Sequence, residues 1–139
     1  MAQANPRRYL ETQVLTASKE QLLLMLYDGA IRFCEQGREA MAARDIPRTH
    51  DLLVRAQRIL IELWCALNPA VDATLAKTLG GLYSFLYLRL VEANVRKDAA
   101  AVDGVVGILK SLRQGWGEAI HKARADAGAS DNPSLQLTG

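Results

Sequence analysis

Two cysteines, two histidines and four prolines in 139 residues leave little material for several kinds of chemistry. Cys34 and Cys65 fall inside apolar helical patterns and are expected to be small buried hydrophobes in a reducing compartment. A zinc centre needs more ligands than the chain supplies, because neither His50 nor His121 lies near a cysteine at ligand spacing. Glu118-Ala-Ile-His121 has the step used in helical di-iron bundles, but those need two such steps and two further inward glutamates. Both residues also fall off the apolar stripe of their own helix, so a solvated face is expected and no cofactor. No phosphate-cradling glycine loop and no nucleophile with a base at motif spacing is present, which argues against an enzyme. Charge of one sign is scarce too. With 17 Lys plus Arg against 15 Asp plus Glu, the net charge of +2 gives no basic footprint for nucleic acid. There is no uncharged apolar run of about 18 residues, and the first 20 residues have no hydrophobic core behind their Arg7-Arg8 pair. Neither a membrane span nor a signal peptide is therefore expected, and the protein is expected to be cytoplasmic.

What the chain does have is apolar residues, half of the total, beside 23% charged, the balance of an ordinary globular domain. Its length fits one domain. Prolines at 6, 47, 69 and 133 divide it into long blocks whose apolar residues recur at three and four, with no alternating strand pattern. The pattern predicts an all-α protein. A first helix starts at Ser18, whose hydroxyl and Gln21 make a capping box, and runs to about Ala43. Leu22, Leu26, Gly29, Ala30, Phe33, Gly37 and Ala40 form its inner stripe. Pro47 suits the first position of a second helix that ends before Asn68-Pro69. A third runs from about Asp72 to Lys97. Asp98 caps a fourth, which fades after about Ala125. Short connections between such helices favour an antiparallel four-helix bundle over residues 18–126. Residues 1–17 are left as an N-terminal arm, and 127–139, small and polar, as a disordered tail.

Two helices carry more apolar surface than one core can use. On the second, Leu52, Ala56, Ile59, Leu63 and Leu67 share a face, Leu53, Leu60 and Trp64 lie beside it, and Val54, Ile61 and Cys65 lie further round. On the third, Leu75, Leu79, Leu82, Leu86 and Leu90 make the stripe, with Tyr83, Tyr87 and Val91 beside it and Phe85 and Leu88 elsewhere. A surplus apolar face on a folded protein marks a partner site, unless each helix simply buries a wider arc against two neighbours. Tyr83 and Tyr87, at i and i+4, suit such a site because a ring is buried while its hydroxyl reaches out. Gly104, Gly107, Gly115 and Gly117 sit within the fourth helix off its core stripe. Each costs about 1 kcal/mol relative to alanine, so either a partner backbone lies close there or the bundle tolerates them.

Three strings are more specific. They are Thr16-Ala-Ser-Lys-Glu-Gln-Leu-Leu-Leu-Met-Leu-Tyr-Asp-Gly-Ala-Ile-Arg-Phe33, then Leu82-Tyr-Ser-Phe-Leu-Tyr-Leu-Arg-Leu-Val-Glu-Ala-Asn94, then Leu109-Lys-Ser-Leu-Arg-Gln-Gly-Trp116 with Glu118-Ala119. In this order and spacing, over about Tyr9 to Ala119, the chain resembles the flagellar secretion chaperone family, FliS. The resemblance implies a non-enzymatic four-helix bundle in the cytoplasm. It would bind the C-terminal segment of flagellin, keep it unpolymerised and present it to the flagellar export apparatus. It also implies an N-terminal arm, with Tyr9 as its tyrosine, that covers part of the client surface when the client is absent. The expected client contacts are Leu53, Val54, Ala56, Leu60 and Ile61 of the second helix, Tyr83, Tyr87 and Leu88 of the third, and Val106 and Gly107 of the fourth.

The chain departs from the family pattern in three places, one being the tail after about Ala127, which has no counterpart in it. Lys19 stands where many members have proline, which leaves the helix start to Ser18, and Asn68-Pro-Ala-Val-Asp-Ala-Thr74 replaces a glycine-containing connection. A competing reading makes the surplus faces the contact of a constitutive homodimer without a client. Under the chaperone reading, a homodimer in the client-free state is a further partner.

Overall fold

The structure, a computed structural model, describes residues 6–8 and 17–130; Tyr9, most of the arm and residues 131–139 lie outside the described residues. Residues 6–8 are helical, and four long helices follow: α1 (Lys19–Ala42), α2 (Ile46–Cys65), α3 (Ala73–Arg96) and α4 (Ala99–Ser130). No strand occurs among the described residues. α1 lies between α2 and α4, and α3 closes the antiparallel ring opposite it.

Local chemistry sets the boundaries. Ser18 Oγ accepts from the Gln21 amide at 3.2 Å while Gln21 Oε1 accepts from the Ser18 amide at 3.0 Å, the capping box expected from the sequence. Asp45 caps α2 by accepting from the Arg48 amide, so Ile46 takes the first helical position and Pro47 the second. Asp72 and Asp98 cap α3 and α4, accepting from Leu75 and Ala101. Both turns at one end of the bundle pass through a left-handed residue that is not glycine, Arg44 at φ 58° and Lys97 at φ 54°. α4 runs about five residues further than the sequence suggests. Its last turns are rich in alanine, the best helix former, and no proline intervenes before Pro133.

Leu53, Leu60, Leu86, Leu90, Val102, Val105 and Leu109 fill the core around Tyr27 and Tyr83. α1 approaches α2 closely because two of its contact positions are glycine. A Cβ on Gly37 would stand 2.8 Å from Leu53 Cδ2, and one on Gly29 3.2 Å from Ile59 Cδ1. The buried stripe of α1 is rotated from the expected one. Tyr27 and Cys34 are fully buried, whereas Leu22, Leu26 and Phe33 are half-buried. Phe33 sits at the edge of α1 and α2 with the Arg32 guanidinium 5.2 Å and that of Arg55 5.9 Å from its ring centre. Burial holds the Cys34 thiol protonated, its pKa pushed up to about 12. Cys65, expected to be buried, is exposed because α2 ends there on its outer side.

Candidate functional site

The three cross-bundle ion pairs among the described residues all join α1 to α4: Arg38 with Asp103, Glu35 with Lys110, and Asp28 with Arg113. The charges of these pairs are met within the chain, and Glu118 and His121 lie along the same edge beside Asp28, Lys110 and Arg113. Metal-ligating side chains do not gather in groups of three or more among the described residues.

α3 is different. From Thr78 to Leu88 it carries eleven residues without a charge. Its inward side supplies Leu79, Tyr83 and Leu86 to the core, yet Phe85 and Leu88 point outward and are 54% and 57% exposed. Between α3 and α4 runs a shallow groove of about 110 Å³, lined by Phe85, Ala100, Gly104, Val105 and Ile108, with Arg89 at one end. A Cβ at Gly104 would meet nothing within 4 Å, so no neighbour in the chain requires that glycine. On the other side of α3, Trp64 of α2 is half-exposed, its Nε1 3.5 Å from the place of a Cβ on Gly80, and Ile61 is exposed one turn before it. Between Lys77 and Arg89 the outer face of α3 is thus an uncharged, largely apolar surface.

An apolar cavity of about 230 Å³ opens at the end of the bundle, where Leu63 and Leu67 of α2, Val71 of the loop and Leu75 and Leu79 of α3 meet Trp116. Beneath it the Tyr27 and Tyr83 hydroxyls are directly hydrogen-bonded, and Trp116 Nε1 donates to Tyr27 Oη at 3.2 Å. This relay ties α1, α3 and α4 together. Desolvation raises the pKa of both phenols.

Against this geometry the expected contact residues divide. Ile61, Leu88 and Gly107 are exposed, and Val54 and Tyr87 are half-buried. Leu53, Ala56, Leu60, Tyr83 and Val106 are core residues, which corrects their expected place on the surface. The closeness of α1 at Gly37 draws Leu53 inward, and Tyr83 turns inward because its hydroxyl has a partner in Tyr27. Val106 and Gly107 face the α1 side beside Glu35, Arg38 and Lys110, away from the α3 surface. The residues that replace them, Phe85, Gly104, Ile108 and Trp64, carry only weak sequence signals: an aromatic off the core stripe, and a glycine that costs helix stability.

The family model "Flagellar protein FliS" matches residues 1–123. The flagellar secretion chaperone FliS of Bacillus subtilis (strain 168) is 35% identical over 127 residues, covering 91% of this chain and 94% of its own. That of Salmonella typhimurium (strain LT2) is 31% identical over 115 residues, covering 82% and 85%. A crystal structure described as a flagellar chaperone from bacteria superposes with a TM-score of 0.71 at 23% identity, covering 84% of this chain and 94% of its own. That likeness establishes the bundle fold.

Proposed function

Because the chain belongs to the FliS family, whose members are chaperones and not enzymes, we propose that it binds the C-terminal segment of flagellin in the cytoplasm, holds it unpolymerised and delivers it to the flagellar export apparatus. The observation that carries this reading is the uncharged outer face of α3 with its exposed Phe85 and Leu88. A flagellin end awaiting assembly is a chain with apolar residues at helical spacing and nothing to pack them on. A long apolar surface offers a substitute, and coupled folding and binding gains affinity from its burial while losing several kcal/mol to ordering. The contact set becomes Val54, Ile61, Tyr87 and Leu88 from the sequence, joined by Phe85, Gly104 and Ile108. Gly104 lets a client helix lie close against α4. Tyr9 and its arm cover part of the same surface in the client-free protein.

Titration calorimetry with a flagellin C-terminal peptide tests this. The wild-type protein forms a one-to-one complex, and a Phe85→Glu, Leu88→Glu double variant keeps its helical circular dichroism while losing about 100-fold or more in affinity, because each buried carboxylate would be unpaired. Undiminished binding by the variant removes α3 from the proposal. A wild-type protein that stays dimeric and ignores the peptide favours the homodimer reading.

A further inference from the structure

Three polar hydrogens meet at the apolar cavity at the end of the bundle. Tyr27 and Tyr83 each contribute a hydroxyl hydrogen and Trp116 an indole N–H. The bonds among them use two of the three: the indole donates to Tyr27 Oη at 3.2 Å, and one hydroxyl donates to the other. The third hydrogen has no acceptor among the described residues. The direction of the Tyr27–Tyr83 bond decides where it sits. If Tyr83 donated, Tyr27 Oη would accept twice and its own hydrogen would stand idle. If Tyr27 donates, the indole, Tyr27 and Tyr83 form one head-to-tail chain in which each bond polarises the next. That is the stronger arrangement, and it leaves the spare hydrogen on Tyr83. Tyr83 is 1% exposed and lines the cavity, whereas Tyr27 is not among the cavity walls.

A buried donor without an acceptor is costly, so the site is ready for an acceptor from outside the chain. The rest of the cavity limits what can carry it. Its walls are leucine, valine and the Trp116 indole, and at its rim Asn68 and Asp72 already accept from the Ala70 and Leu75 amides. A water molecule needs two to four polar partners, and the apolar walls offer it one hydrogen. An anion would lose its hydration and stand near the Asp72 carboxylate. A neutral carbonyl meets both conditions. Size points the same way: an apolar cavity of about 150 Å³ takes benzene, so about 230 Å³ has room for one ring with a short acyl group. We propose that the end cavity is a small-molecule site for a neutral carbonyl compound, a ketone, ester or amide carrying one ring or a short alkyl chain, with the Tyr83 hydroxyl donating to its oxygen. Such a compound would tie the loop at Val71 to Trp116 of α4. Its binding needs no flagellin, so the site stands or falls apart from the function proposed above.

The test uses two probes of one shape, acetophenone and α-methylstyrene, which has a CH2 group in place of the oxygen. Both are titrated by NMR into the full chain as wild type, Tyr83→Phe and Tyr27→Phe. Acetophenone should bind the wild-type protein with a Kd of about 1 mM or tighter and shift the methyl resonances of Leu63 and Leu75. The ratio of the two affinities cancels the different hydration of the probes between variants. That ratio should fall about 5- to 10-fold in Tyr83→Phe and hold in Tyr27→Phe, which keeps the Tyr83 donor. The infrared carbonyl band of bound acetophenone reads the bond directly. In the wild-type protein and Tyr27→Phe it should lie at lower wavenumber than the band of the same ketone in an alkane. Failure of acetophenone to bind, or binding that leaves the Leu63 and Leu75 methyls unmoved, overturns the cavity assignment. An alkane-like band, or an unchanged ratio in Tyr83→Phe, overturns the role of the hydroxyl and the proposal with it. If Tyr83→Phe does not fold, the band in the other two proteins decides.

Discussion

Three glycines of similar appearance in the sequence should respond to one methyl group in three different ways. At Gly104 and Gly107 an added Cβ meets nothing within 4 Å, so alanine removes only the glycine penalty and each variant gains about 1 kcal/mol. With an unfolding entropy of about 2.1 cal/mol/K per residue, that is a rise of roughly 3 °C in melting temperature for a chain of this size. At Gly37 the same Cβ lands 2.8 Å from Leu53 Cδ2 and 3.2 Å from its Cγ, and because Leu53 is fully buried the overpacking costs about 1 to 3 kcal/mol. The function then separates the first two. Gly104 lines the α3–α4 groove with Phe85, and Gly107 faces Glu35 and Lys110 on the ion-paired edge. Gly104→Ala should weaken flagellin peptide binding by about fivefold or more while raising stability, and Gly107→Ala should leave affinity unchanged. Differential scanning calorimetry and a peptide titration on the three single variants read all of this. A Gly104→Ala protein that binds as tightly as wild type would refute the groove assignment. A Gly37→Ala protein as stable as wild type would refute the account of how α1 meets α2.

Two further outcomes follow from the core. Leu53 and Leu60 are essentially inaccessible, so Leu53→Ala or Leu60→Ala should cost about 2 to 5 kcal/mol in chemical denaturation, whereas Leu88→Ala, more than half exposed, should cost well under 1 kcal/mol. Equal losses at the two kinds of site would contradict the burial pattern. The Tyr27 and Tyr83 phenols have folded pKa values raised above the ordinary 10.0, chiefly by desolvation, so the stability they contribute is complete below about pH 10 and is lost as pH rises beyond it. Alkaline titration followed by circular dichroism should show unfolding above pH 10 that moves to higher pH in a Tyr27→Phe, Tyr83→Phe variant.

Caps and breakers speak locally, which is why the helix starts at Ser18, Asp72 and Asp98 were legible from the residues alone. Hydrophobicity states how much of a helix is buried but not in which direction. Leu53 and Trp64 both lie beside the expected core face of α2, and the approach of α1 at Gly37 makes the first a core residue while the second stays half-exposed. Tyr83 and Tyr87, both beside the stripe of α3, likewise differ because the Tyr83 hydroxyl has a partner 56 positions away, the Tyr27 hydroxyl, that no local pattern announces. The candidate surface was therefore readable as a surplus of apolar residues on α2 and α3. Its true members had to wait for the azimuth of each helix.

The uncharged stretch from Thr78 to Leu88 also bears on how the protein is made. It contains no proline and is rich in leucine and aromatics, the composition that pairs into intermolecular strands when a chain is unfolded. A nascent chain exposes both of its faces until α4 is synthesised and covers the inward one. The outward face cannot be dressed with charge without spoiling the surface a client would use, so protection falls to the two ends, where Lys77 and Arg89 bracket the segment. Neither is ion-paired to another helix among the described residues. Placed at the two ends of an apolar segment, these charges oppose its self-association in the unfolded chain.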